Sequence, residues 1–229
     1  MKKLTLSMSK RETILGWIYL PLQFLVLPTA IVLVNFLFGN PLTDVEINLV
    51  FFAINFIGTL LIFWNFLNKS TKLALHRPMQ CLGGTLFGFI VYWLLNMLVG
   101  MLVQLVYPDF FNVNDASLNT LVQENAALMT LGTVLLVPIS EEVLFRGLIF
   151  GGLYNRKPIL AYAVSTFAFA GLHVINYIGL YAPVHLLLCF LQYIPAGVCL
   201  ALAYAKADNI WAAILIHITV NQIGMLSMR

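Results

Sequence analysis

The sequence predicts an all-α membrane protein, a polytopic bundle of about seven transmembrane helices with its N-terminus in the cytoplasm. Of the 229 residues, 61% are hydrophobic and only 9% are charged, whereas soluble domains are about 25% charged. Stretches without charge that are long enough to cross a bilayer recur along the whole chain. This composition excludes a soluble enzyme, a nucleic-acid-binding protein and a secreted disulfide scaffold.

Seven segments satisfy the length requirement for a transmembrane helix. A span needs about 20 apolar residues, because each residue rises 1.5 Å across a hydrocarbon core of roughly 30 Å. The segments are residues 14–38, 47–67, 79–106, 125–154, 158–180, 184–205 and 210–228. The first is too long for the apolar part of a signal peptide, and no small-residue cleavage pattern follows it, so we expect it to remain in the mature chain.

The charges of the connections predict the orientation. Basic residues precede the first span and follow the second, fourth and sixth spans: Lys2, Lys3, Lys10, Arg11, Lys69, Lys72, Arg77, Arg156, Lys157 and Lys206. The other connections hold no Lys or Arg, and two of them, at residues 39–46 and at 107–124, the longest, hold acidic side chains. The positive-inside rule then places the N-terminus in the cytoplasm and Arg229 outside.

Six ionisable residues lie inside the predicted spans: Glu141, Glu142, Arg146, His173, His185 and His217. A charge at the centre of a bilayer costs about 2.5–3.5 kcal/mol, so such groups are expected to pair or to face a hydrated cavity. Three cysteines, Cys81, Cys189 and Cys199, also lie in spans, and we expect them to be buried free thiols.

The fourth span contains two adjacent glutamates and an arginine. Glu142 and Arg146 are four residues apart and therefore share a helical face. Glu141 is rotated by about 100° from Glu142. We expect Arg146 to hold Glu142 ionised, while Glu141 remains free to accept a proton. The alternative is a structural ion pair between helices in which Glu141 has no part.

Two later spans carry further pairs at the same spacing. Phe169 and His173 share a face of the fifth span, and His217 and Asn221 share a face of the seventh. Either pair alone is as typical of interhelical hydrogen bonding as of catalysis. Glu141 lies about 21 Å and His173 about 22 Å from the cytoplasmic ends of their spans, and the other polar groups lie at roughly 10–17 Å. This common depth, from the cytoplasmic half to the middle of the membrane, predicts one site.

The three motifs together resemble the CPBP family. In order they are Glu141-Glu142-x-x-x-Arg146, Phe169-x-x-x-His173 and His217-x-x-x-Asn221. The family comprises the CAAX protease and bacteriocin-processing proteins, also called Abi, which are related to the type II CAAX prenyl endopeptidases. The resemblance implies an intramembrane endopeptidase, with roles in bacteria in peptide-pheromone maturation or bacteriocin self-immunity. It divides the single membrane domain into three N-terminal spans in residues 1–124 and a catalytic core in residues 125–229.

The chemistry of these residues fits amide hydrolysis, which needs an activated water, an oxyanion donor and a proton for the leaving amine. We expect Glu141 and His173 to hold the water, with Glu141 as general base and later proton donor. Asn221, helped by His217, would supply the oxyanion donors. Glu142 and Arg146 would brace the helix, and the resemblance also allows Glu142 a direct part.

A metal-free mechanism is favoured over zinc. Glutamates and histidines can bind zinc, and the family is often described as metalloproteases. The sequence has no His-Glu-x-x-His motif, however, and an arginine inside the site would repel a cation. We therefore expect no cofactor and no metal, with zinc as the less favoured alternative.

Two other functions remain open. The chain could be a non-catalytic regulator or immunity protein that binds a membrane partner such as a sensor kinase, or a transporter that uses Glu141 as a proton relay. For the protease we expect a peptide or protein substrate that arrives from the membrane or from the cytoplasmic side. The lipid bilayer is the other partner, and no nucleic acid is expected. The predicted location is a bacterial cell membrane, with several passes.

Overall fold

The computed structural model describes residues 3–228; Lys2 and Arg229, which belong to the orientation prediction, lie outside the described residues. Within 3–228 the chain is helical and forms no β-strand, which confirms the all-α prediction. Seven helices in this range are long and apolar enough to cross a membrane. They are α1 Lys10–Leu37, α2 Asp44–His76, α3 Pro78–Val106, α4 Val113–Tyr154, α5 Pro158–Ile175, α6 Pro183–Ala207 and α7 Ile210–Ser227.

The bundle is that of an integral, multi-pass membrane protein. Helix α4, which carries the two adjacent glutamates, is the most buried of the seven, and α1 and α3 are the least buried. Large apolar side chains such as Leu25, Phe36 and Leu105 are exposed on these outer helices. Such a surface is expected where lipid replaces water. The three cysteines are free and buried, as predicted.

Two helices end well away from the ends of their predicted spans. Helix α5 ends at Ile175 rather than at residue 180, because the chain turns there through Gly179, which has a φ of +87°. Helix α2 continues to His76, beyond predicted residue 67. Its last turns carry lysines, whose long side chains let the charge reach beyond the apolar layer.

The predicted connection at residues 107–124 is partly helical. From Val113 onward it is helical and forms the first part of α4. The helix bends at Asn125, where φ is −153° and ψ is 88°. The side-chain Oδ1 of Asn125 accepts a hydrogen bond from the Leu128 N–H at 3.1 Å and so caps the span that follows.

Three π-helical turns interrupt the helices, at Leu22–Val26 in α1 and at Leu131–Leu136 and Val143–Phe150 in α4. Pro21 precedes the first of these turns and Pro138 follows the second, as expected for residues that lack a backbone N–H donor. The third carries Arg146, and π-helical turns are frequent at functional sites. Pro28 lies in the first turn of Leu27–Leu37, and α6 remains α-helical through Pro195.

The ends of the helices that carry the basic residues are joined by hydrogen bonds. The Leu4 N–H donates to Asn155 Oδ1 at 2.8 Å, and the Thr5 N–H and hydroxyl donate to the Asp208 carboxylate at 2.8 and 2.7 Å. The N-terminal segment therefore binds the α4–α5 and α6–α7 connections at the same end of the bundle.

Close packing of α3 against α6 depends on two glycines. A Cβ atom added at Gly84 would lie 2.6 Å from the Ala207 Cβ, and one added at Gly88 would lie 2.6 Å from the Ala203 Cβ. Small residues four apart on a membrane helix allow such backbone approach. The two helices are therefore in contact along the halves that lie toward the α6–α7 connection.

We expect Gly84→Ala to lower the free energy of unfolding by about 1–3 kcal/mol, since the new methyl group meets the Ala207 backbone as well as its Cβ. Gly83→Ala is the matched control, because no atom lies within 4 Å of its added Cβ. It should leave stability unchanged or raise it by about 0.5–1 kcal/mol. Thermal unfolding in detergent measures both, and equal effects would contradict the packing described.

Candidate active site

The structure places Glu142 and Arg146 as a fully buried ion pair. Arg146 Nη1 donates to Glu142 Oε1 at 2.9 Å, and both side chains are 0% exposed. The predicted i, i+4 pairing is therefore present, although Arg146 lies within a π-helical turn. A pair removed from water is stable only if further partners satisfy its remaining polar atoms.

Nη2 of Arg146 has such partners on a neighbouring helix, whereas Arg146 Nε and Glu142 Oε2 have none among residues 3–228. This Nη2 atom lies 3.4 Å from the Ala196 carbonyl and 3.3 Å from the Gly197 carbonyl of α6. The guanidinium carbon lies 4.2 Å from the centre of the Phe169 ring of α5, a cation–π arrangement. Arg146 thus joins α4, α5 and α6 at one level of the bundle.

His217 of α7 connects the two glutamates. Its Nδ1 lies 2.8 Å from Glu142 Oε1, the same oxygen that accepts from Arg146. Its Nε2 lies 4.0 Å from Glu141 Oε2. A carboxylate only accepts, so the Nδ1 atom carries a proton that it donates to Glu142.

The environment of Glu141 differs from that of Glu142. The Glu141 side chain is 13% exposed and that of Glu142 is 0% exposed. Glu141 Oε2 is nevertheless shielded and has no hydrogen-bond partner within residues 3–228. A buried carboxylate oxygen without a partner costs free energy, so this position is suited to a bound water or to the polar group of a ligand.

His173 lies in the last turn of α5. Its Nδ1 is 2.9 Å from the Phe169 carbonyl, which can only accept, so Nδ1 donates and Nε2 is left as the acceptor of the neutral ring. The ring stacks on Tyr193 of α6 with 4.1 Å between ring centres and 26° between planes. The Phe169 ring lies 4.7 Å from His173 and 5.8 Å from His217, centre to centre.

Asn221 is fixed by a backbone contact across the bundle. Its Nδ2 donates to the Thr133 carbonyl of α4 at 2.8 Å. A carboxamide nitrogen carries two hydrogens, so the second remains for another acceptor. Asn221 can therefore donate a hydrogen bond from a fixed position.

One cavity of about 430 Å³ brings three of the predicted residues together. Its lining includes His173, His217, Asn221, Phe169, Tyr193 and Asp115. Glu141, Glu142 and Arg146 are not among the lining residues, but both glutamates lie close to His217: its Nε2 is 4.0 Å from Glu141 Oε2 and its Nδ1 is 2.8 Å from Glu142 Oε1. His185, the remaining histidine of the predicted spans, hydrogen bonds to the Phe111 carbonyl and is absent from this lining.

Tyr193 and Asp115 were not among the predicted site residues. The Tyr193 hydroxyl lies 3.3 Å from Asp115 Oδ1, while its ring stacks on His173. The sequence does contain a pattern that could have indicated Tyr193. The polar pair Gln192-Tyr193 lies in the middle of an apolar span, and polar residues inside a membrane are expected to face a cavity.

The residues of the site do not fit a bound metal ion. Across residues 3–228, no three His, Cys, Asp or Glu side chains form a group suited to holding one. The Nδ1 atoms of His173 and His217 already donate to other groups. Arg146, 2.9 Å from Glu142, would also repel a cation at that carboxylate.

Comparison with known proteins supports the resemblance. Residues 123–223 match the family model described as Type II CAAX prenyl endopeptidase Rce1-like. UPF0177 protein YxdF of Lactococcus lactis subsp. lactis (strain IL1403) is 32% identical over 90 residues, which are 39% of this chain and 44% of that protein. YdiL of Bacillus subtilis (strain 168), named as a candidate membrane peptidase, is 35% identical over 96 residues, which are 41% of this chain and 34% of that protein.

These similarities are confined to part of each protein. The chain spans less than half the length of either curated relative, and no solved structure matches it significantly. The matched segment nevertheless contains all three motifs, from Glu141 to Asn221. Residues 123–223 are thus similar to the type II CAAX prenyl endopeptidases, to which the CPBP family suggested by the motifs is related.

Proposed function

We propose that the chain is an intramembrane endopeptidase that hydrolyses a peptide bond with a water molecule activated by Glu141. The supporting observation is the unpartnered Oε2 of Glu141, which lies 4.0 Å from Nε2 of His217, a residue that lines the cavity together with His173 and Asn221. The catalytic core would be residues 125–229, and the family of the matched segment is consistent with this activity.

In the proposed reaction the Glu141 carboxylate accepts one proton of a water molecule. The second hydrogen of that water forms a hydrogen bond to Nε2 of His173, the acceptor nitrogen of the ring. The resulting hydroxide attacks the carbonyl carbon and forms a tetrahedral oxyanion. Glu141 then gives the proton to the leaving amine as the carbon–nitrogen bond breaks. One water is consumed, and the products are a carboxylic acid and an amine.

The second N–H of Asn221 would stabilise the oxyanion, since the first is held by Thr133. His217 would assist from Nε2 in its doubly protonated form. In that form the net charge of the buried cluster is zero, which favours the joint burial of its four members, Glu141, Glu142, Arg146 and His217. Glu142 and Arg146 would then act through His217 as positioning residues.

No metal enters this proposal, because the Nδ1 atoms of His173 and His217 are already hydrogen bonded and the Arg146 guanidinium lies against Glu142. The natural substrate would be a peptide or protein segment processed at a bacterial cell membrane. Peptide-pheromone maturation and bacteriocin self-immunity are the two roles that we propose for it, and both matched relatives are bacterial.

The proposal is tested by incubating the purified protein in detergent with a peptide library, with and without a chelator, and identifying products by mass spectrometry. We expect cleavage that the chelator does not abolish and that His173→Ala lowers at least 100-fold. His76→Ala is the matched control, since His76 is exposed at the end of α2. It should retain the parent rate.

The same experiment tests the alternative of a non-catalytic regulator or immunity protein. Absence of cleavage by folded parent protein, with cellular function retained in His173→Ala, would favour that alternative. Cleavage that stops on chelation and returns with zinc would overturn the metal-free form of the proposal.

A further inference from the structure

The cavity has two unequal ends. Its floor, at Leu200 and Ile216, lies roughly 10 Å from the ends of α6 and α7 that meet at the Ala207–Ile210 connection. Its opposite end is lined by Asn112 and Asp115 at the beginning of α4 and by Met228 just past the end of α7. The cavity therefore extends from the middle of the bundle toward the end remote from the basic connections.

The cytoplasmic side of the floor is closed by protein. Helix α3 lies against α6 there through Gly84 and Gly88, with no space for even a Cβ atom. Beyond that contact, Gln80 Nε2 donates to the Ala207 carbonyl at 3.0 Å, and Thr5 binds Asp208. A peptide from the cytoplasm would have to break these contacts to reach His217.

The remote end is polar and carries acidic charge. Asn112 Nδ2 donates to Gln192 Oε1 at 2.9 Å, and the Tyr193 hydroxyl lies 3.2 Å from Asn112 Oδ1 and 3.3 Å from Asp115 Oδ1. Asp115 is the one carboxylate in the cavity lining, and no Lys or Arg among the described residues lines it. This end of the cavity thus offers a negative charge next to the ring that stacks on His173.

We propose that the cavity receives its peptide from the extracytoplasmic side and that Asp115 binds a positively charged group of that peptide, a lysine or arginine side chain or a terminal amine. The orientation comes from the positive-inside rule, and the direction of opening comes from the lining residues. The cation is identified by charge complementarity to the exposed Asp115 carboxylate, which no Lys or Arg of the described cavity lining balances. Peptide recognition rests on the proposed function, whereas access to the cavity does not.

Access is tested in intact cells with a charged, membrane-impermeant thiol reagent. Leu118→Cys and Asn96→Cys place thiols in the cavity lining, and Leu75→Cys places one on the exposed cytoplasmic end of α2. The parent chain is the blank, because its own cysteines are buried. We expect labelling of the two lining positions in intact cells and of Leu75→Cys only after permeabilisation.

Three results would overturn the access proposal. Lining positions that react only after permeabilisation would mean a cytoplasmic opening. Reaction of Leu75→Cys in intact cells would mean the reverse orientation, and lining positions that never react would mean a dry cavity. None of these readouts requires proteolysis, so they are independent of the proposed function.

The cation site is tested by binding rather than by turnover. Fluorescent peptides with a single lysine at successive positions, and their norleucine counterparts, are titrated against the Glu141→Gln protein. We expect lysine at one position to bind about tenfold more tightly than norleucine, and Asp115→Asn to abolish the difference. Asp109→Asn, in the exposed α3–α4 connection and absent from the lining, is the control. Lysine preference that survives Asp115→Asn, or equal binding of all peptides, would overturn the site.

Discussion

Glu141→Gln is expected to lower kcat for peptide cleavage by about 10²–10⁴-fold, the usual contribution of a general base. The substitution keeps the approximate shape of the side chain and removes its negative charge, and with it the ability to take a proton from water. The fold should tolerate it, because Glu141 Oε2 has no hydrogen-bond partner among the described residues. Single-turnover cleavage followed by mass spectrometry measures the loss.

Glu124→Gln is the control for this substitution. Glu124 is exposed in the same helix, beyond the bend at Asn125 and outside the cavity lining. It should cleave at the parent rate. A Glu141→Gln protein that keeps full activity would contradict the assignment of the base, whatever the behaviour of the control.

Arg146→Met is expected to lower the free energy of unfolding by about 3–5 kcal/mol, because it leaves the fully buried Glu142 carboxylate without its cation. The double variant Glu142→Gln/Arg146→Met should be more stable than Arg146→Met alone. The glutamine removes the unpaired charge, and its carbonyl can still accept from His217 Nδ1.

Unfolding titrations in mixed micelles compare these proteins with Arg156→Met, in which an exposed cation of the α4–α5 connection is removed. That control should change stability by less than about 1 kcal/mol. If Arg146→Met lowered the free energy of unfolding no more than Arg156→Met does, the buried pair would not hold the core together. If the double variant were the least stable, the loss would not arise from the unpaired charge.

Hydrophobic length and charge placement predicted the helices well because they report directly on the bilayer. Counting charge-free residues gave the wrong helix end in two cases: where a helix continues past charged residues, and where a helix stops within an apolar stretch. Helix α2 continues past Lys69 and Lys72 to His76, and α5 stops at Ile175 although apolar residues follow. The latter end depends on a turn through Gly179, which hydropathy does not detect.

The site was predictable to the extent that it depends on helical spacing. The Glu142–Arg146 pair follows from their separation of four residues, and the structure shows it at 2.9 Å. Contacts between helices were not predictable from spacing. The bond from His217 to Glu142 joins residues 75 apart, and the stacking of Tyr193 on His173 depends on how α5 packs against α6.

The most direct test of the account is whether Glu141 and His173 act on the same water. Cleavage rates of Glu141→Gln, His173→Ala and the double variant, followed over long incubations by mass spectrometry, give the answer. If the two side chains act as one unit, the double variant should be no slower than the slower single variant. Losses that multiply in the double variant would show independent roles and would contradict a shared water at this cavity.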